Sequence, residues 1–118
     1  MNREQLKEIM TEDFKVLEGL GLTNLCLVKK LDSEGILAPS HIIFNYWFDC
    51  TFVTLKANRN EDGTYSIGYK DKIFLKKVKP AEFITTLEKY DAHVQLTYGG
   101  QVQEIQFFSR KNKKKKKK

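Results

Sequence analysis

Residues 41–69, HIIFNYWFDCTFVTLKANRNEDGTYSIGY, decide how the rest of the chain is read. They concentrate aromatic and β-branched side chains around one turn. Asp62-Gly63 stands between Val53-Thr54-Leu55 and Tyr65-Ser66-Ile67, and an Asp-Gly pair supplies the positive φ angles of a tight hairpin. The polar run Asn58-Arg59-Asn60-Glu61 ahead of it allows a connection longer than two residues. Beyond the turn, Tyr65, Ile67 and Tyr69 alternate with Ser66, Gly68 and Lys70, which gives that strand one apolar face. Upstream, Ile42, Phe44, Tyr46 and Phe48 share one phase, whereas Val53, Leu55 and Ala57 share the other. The phase changes near Asp49-Cys50-Thr51. A β-bulge and a tight turn both produce such a change, and the absence of Gly or Pro favours the bulge.

Working outward, Leu6, Met10, Phe14 and Leu17 make one apolar stripe at helical spacing, widened by Ile9 and Leu20. Asn2 is placed to cap this helix, with Gln5 three residues on as its capping-box partner, and Gly19 and Gly21 stop it. Leu25 to Val28 reads as a short strand, Asp32-Ser33-Glu34-Gly35 as a turn, and Pro39-Ser40 as the end of a loop. Lys72 to Val78 is a further strand. Pro80 fits the first position of a second helix, whose stripe is Phe83, Leu87 and Tyr90. Gly99-Gly100 closes a last hairpin, in which Leu96 faces Gln103, Val94 faces Ile105 and Ala92 faces Phe107. Val94, Leu96, Ile105 and Phe107 are its expected core positions. The order α-β(3 to 5)-α-β-β, with strands joined by hairpins, predicts a two-layer α+β domain over residues 1–109. Its sheet is mainly antiparallel, and two helices cover one face.

The chain has 118 residues, 41% hydrophobic and 31% charged, the composition of a globular protein with one domain's worth of core. Its formal charge of +6 is unevenly placed. Residues 1–109 hold 13 Lys and Arg against 15 Asp and Glu, so the body is slightly acidic. The positive charge belongs to residues 110–118, which read as a disordered lysine-rich tail. Cys26 and Cys50 are too few for a disulfide framework. The first residues lack the apolar core of a secretory signal, so a reduced, cytoplasmic protein is expected. The longest apolar stretch, 42–55, is too short for a membrane-spanning helix.

Candidate sites are few. His41 and His93 sit in no nucleophile, P-loop or zinc-protease motif. Ser40 and His41 are neighbours, which on a regular strand point to opposite faces. Cys26, His41, Cys50 and His93 have no ligand pair at close spacing, and buried thiols with ordinary histidines account for them as well. Asp49, flanked by Phe48 and Cys50, is either a buried acid or a bulge residue bonded to backbone. No catalytic residue, cofactor or metal ligand is assigned.

Two surfaces remain. Tyr46, Trp47, Tyr65 and Tyr69 can present rings for a partner or for stacked bases, although some rings must supply the core. Lys70, Lys72 and Lys76, together with Arg110, Lys111, Lys113 and Lys114, can meet a polyanion. An edge strand guarded by lysines accounts for the first three equally well. These features order three function classes. A small non-enzymatic binding or accessory module acting through protein–protein contact comes first, a texture found in small bacterial or phage proteins. Its partner is an unidentified protein or a second copy held at the sheet's open face. A nucleic-acid-associated protein using the basic tail and an aromatic sheet face comes second, and an enzyme with an unrecognised site third.

Overall fold

The structure, a computed structural model, describes residues 2–48 and 51–110. The first helix, α1 (Arg3–Gly19), starts where the sequence predicts. The Gln5 N–H donates to Asn2 Oδ1 at 2.8 Å and the Asn2 N–H donates to Gln5 Oε1 at 3.0 Å. The helix ends at Gly19 with Leu20 as its cap, and Gly21, at φ +83°, follows with its N–H donating to the Glu18 carbonyl. Met10 and Leu17 are buried on its inner face, with Leu6 and Leu20 packed beside them. Phe14 is only half-buried, because Asp13 shares that inner face and accepts a 2.8 Å hydrogen bond from the Tyr65 hydroxyl.

Five strands follow in one antiparallel sheet whose spatial order is the chain order: β1 (Thr23–Leu31), β2 (Leu37–Phe48), β3 (Thr51–Arg59), β4 (Tyr65–Tyr69) and β5 (Lys72–Val78). Pro39 and Ser40 belong to β2 rather than to a loop, with Pro39 buried opposite Lys29. The β3–β4 connection is Asn60 to Thr64, with Gly63 at φ +89° as its Asp62-Gly63 turn requires.

The favoured bulge near Asp49 is replaced by a chain reversal. Phe48 pairs with Thr51, Tyr46 with Val53, Phe44 with Leu55 and Ile42 with Ala57. A two-residue connection makes even-numbered residues face odd-numbered ones, so the phase change brings both apolar sets to the same face. Asp49 and Cys50 themselves lie outside the described residues.

That inner face carries Phe44, Leu55, Tyr65 and Ile67 at the centre of the core. α1 covers part of it. A 3-10 turn (Pro80–Glu82) running into the short α2 (Phe83–Leu87) covers more, with Phe83 5.7 Å from both the Phe44 and Tyr65 rings. Tyr90 is not on this helix; it opens β6 (Tyr90–Leu96), which pairs with β7 (Val102–Ser109). These two strands form a sheet of their own. They meet β5 through side chains, with Phe107 stacked on Phe74 at 4.0 Å and Lys72 bonded to Glu104 at 3.0 Å. Val94 faces Ile105 and Ala92 faces Phe107 as expected, but a register shift puts Leu96 opposite Val102 rather than Gln103. Leu96 is 56% exposed, and Ile105 is the hairpin's buried hydrophobic residue, with Asp91 buried at its other end. The architecture is α+β in the predicted order.

Candidate functional site

The outer face of the sheet follows from the register. Cys26, Val28, His41, Ile43, Asn45, Trp47, Phe52, Thr54 and Lys56 alternate with the core residues, so they point away from the helices. One end of this face projects. β1 reaches β2 only as far as Thr23 opposite Asn45, and β4 reaches β3 only as far as Gly68 opposite Lys56. The β1 limit is local: Gly21 turns the chain out of α1, and Asn24 at φ +52° sits in a register shift that bends the strand away. The β4 limit is its length of five residues before the Lys70-Asp71 turn, where Lys70 takes φ +54°.

Tyr46 to Phe48 and Thr51 to Leu55 therefore form a two-stranded projection. Its inner side is anchored by aromatic contacts, Tyr46 on Phe48 at 4.8 Å and Phe48 on Phe107 at 5.4 Å. Burial pushes the half-buried Tyr46 phenol up, aided by the charge of Glu88 and opposed by that of Arg110. The outer side carries Trp47 directly opposite Phe52, ring centroids 5.5 Å apart and tilted by 47°. Trp47 is 58% and Phe52 48% exposed. Beside them a cavity of about 210 Å³ lies between Gly21–Thr23, Asn45–Trp47 and Ile84. Thr54 donates to Asn45 across the same face at 2.6 Å.

The aromatic group read from the sequence is thus divided. Trp47 is presented outward and Tyr46 is half-buried on the inner side. Tyr65 is fully buried, its phenol pushed far up by burial and by the Asp13 hydrogen bond, so it has no ring face to offer. Tyr69 is half-buried beneath the Lys70 ammonium, 5.5 Å from the ring centroid. Phe52, absent from the sequence reading, takes their place. The sequence does contain its signal: a two-residue reversal after Phe48 puts Phe52 opposite Trp47, whereas a bulge does not.

The body lysines gather on the β5 edge. Lys72 pairs with Glu104, and Lys77 lies 3.9 Å from Asp62. Lys76 is exposed, and its carbonyl accepts from the Asn60 and Ser66 side chains. Lys70 and Lys72 border a cavity of about 200 Å³ together with Asp71 and Glu104, so acids share that rim. Arg110 is fixed by a 2.8 Å contact to Asp91 and by its N–H on the Lys89 carbonyl. Lys111, Lys113 and Lys114 lie outside the described residues.

Ser40 and His41 do not point apart. Val28 faces His41 while Lys29 faces Pro39, which leaves Ser40 as the extra residue of a bulge, and its Oγ lies 2.9 Å from His41 Nδ1. The ring is buried, and burial followed by the charges of Lys56 and Lys30 holds its pKa below the usual value. Those surroundings disfavour the imidazolium that a general base must form. Among the described residues no cluster of three or more His, Cys, Asp or Glu could hold a metal, and no helix is long and apolar enough to cross a membrane. Comparison with protein-family models, curated proteins and solved structures returns no match for this chain.

Proposed function

We propose that this chain is a small non-enzymatic binding module that works by surface contact, and that its contact surface is the outer sheet face centred on Trp47 and Phe52. The observation that carries this reading is the pair itself: two large aromatic side chains left in water side by side, on a projection packed from behind by Phe48 and Phe107. Aromatic side chains on a stiff support bind at low entropic cost, which is why contact surfaces are built around them. A protein partner or a second copy of the chain fits such a surface.

Photo-crosslinking tests the reading. A benzophenone side chain at Phe52 should give a discrete adduct with a partner or with a second copy, and the same group at Lys15 on the far side of α1 should not. Equal adducts from both positions contradict it. Light scattering at high concentration then separates the two partners, because a strict monomer eliminates the second copy and leaves a different protein.

A further inference from the structure

The outermost strands of the two sheets differ in how their edges are protected. Among the described residues, β1 and β5 flank the five-stranded sheet, while β6 and β7 have each other as their sole strand partner. An edge strand presents a row of backbone N–H and C=O groups to any other strand, and lysines on it are a common guard against pairing. β1 carries exposed Lys29 and Lys30, and β5 carries exposed Lys72, Lys76 and Lys77. Residues 90–109, which make up β6, β7 and their turn, contain no Lys, Arg or Pro. This hairpin has no guard.

Of its two strands, β6 has its backbone close to β2, whereas β7 meets the main sheet through side chains, Phe107 on Phe48 and Phe74 and Glu104 on Lys72. Val102, Gln103, Gln106 and Phe108 of β7 are exposed. The hairpin's acids are both paired, Glu104 with Lys72 and Asp91 with Arg110, so β7 brings little charge to an edge contact. A two-stranded ribbon is also the least stable form of sheet, and further strands stabilise it. Leu96 and Val102, opposite each other at its free end, are both left in water.

We infer that β7 pairs antiparallel with β7 of a second copy across a two-fold axis, joining the two hairpins into one four-stranded sheet in the order β6-β7-β7-β6. This edge is separate from Trp47 and Phe52, so the inference goes beyond the contact surface centred on them. A two-fold axis normal to the hairpin sets like faces side by side. Phe108 then gains cross-strand neighbours from the exposed face of the other β7, and Ile105 and Phe107 gain them from its apolar face. Glu104 opposes its own copy in only one register, the one centred on it. The same pairing on β1 or β5 sets lysines against lysines.

The test uses the full chain. Sedimentation velocity should show monomer passing to dimer as concentration rises. Hydrogen exchange should slow in parallel at the residue 102–108 amides that point away from β6, and not at the outer amides of β1 or β5. Gln103→Lys, Gln106→Lys and Phe108→Lys together give each β7 a net positive charge, which repels its copy in any register, and should weaken the dimer at least about tenfold. The matching Gln103→Glu, Gln106→Glu and Phe108→Glu chain should likewise stay monomeric alone, and the two variants should associate when mixed. Trp47→Ser with Phe52→Ser should leave the dimer unchanged. A monomer at the highest concentration overturns the inference. So does slowed exchange on β1 or β5 in place of β7, an undiminished dimer in the lysine variant, or failure of the two folded charge variants to associate. Loss of the dimer in the serine variant moves the second copy to the outer sheet face and also overturns it. Should the charge variants not fold, the exchange experiment on the native chain decides. The crosslinking at Phe52 tests the contact surface separately.

Discussion

The inner and outer faces of the five-stranded sheet are made by the same alternating strands, and β2 shows the difference residue by residue. Phe44 and Phe48 point inward and are buried under Phe83 and Phe107; Trp47, between them in the chain but in the opposite phase, points outward into water. Apolar character is therefore not what separates the faces. Coverage is: one 17-residue helix, one short helix and one hairpin are enough to close a single face. The residue left on the other face stays in water.

This contrast is breakable by mutation. The largest effects belong inside. Phe44→Ala should cost about 3–5 kcal/mol, since a fully buried ring is removed between Phe83 and the sheet. Urea unfolding measures it, and a loss under about 1 kcal/mol would mean that the inner face is not the core. Gly68→Ala comes next, at about 2–3 kcal/mol, because a Cβ there meets the Lys72 carbonyl and the Ile73 backbone, neither of which can rotate away. The same melts check this, with Gly63→Ala as a comparison at a turn that requires positive φ.

Tyr65→Phe keeps the ring and removes only the hydroxyl that donates to Asp13, so about 1 kcal/mol is expected. His41 gives a pH effect whose sign follows from its burial. Because the folded pKa lies below the usual value, the unfolded chain takes up the proton first as pH falls. Stability should decline on acidification through about pH 6.5 and keep declining until the folded ring is itself protonated. Urea midpoints at three pH values should show a steeper decline for the native chain than for His41→Gln; parallel lines would remove His41 from the account.

The smallest effect sharpens the comparison most. Trp47→Ala, despite deleting the largest side chain in the protein, should change stability by less than about 1 kcal/mol, as should Leu96→Ala. A loss near that of Phe44→Ala would show that the outer face is covered after all.

The sequence by itself determined the elements whose causes are local. Asn2 and Gln5 set the start of α1, Asp62-Gly63 set a turn, and alternation set which of Tyr65 to Tyr69 face inward. It also fixed the α+β class, because hairpin-joined strands must pair antiparallel and two amphipathic helices can cover one face. What only the tertiary structure decided are the matters of partnership. The reversal after Phe48 rather than a bulge, the separate β6–β7 sheet, and the exposure of Leu96 depend on which strand accepts which neighbour. The candidate site divides in the same way. Trp47 was legible as a candidate from its type, but Phe52 became its neighbour, and Tyr65 was withdrawn into the core, only through long-range pairing. Local sequence fixes how a side chain alternates; the free energy of burial is assigned by whatever layer arrives to cover that face, and those residues lie elsewhere in the chain.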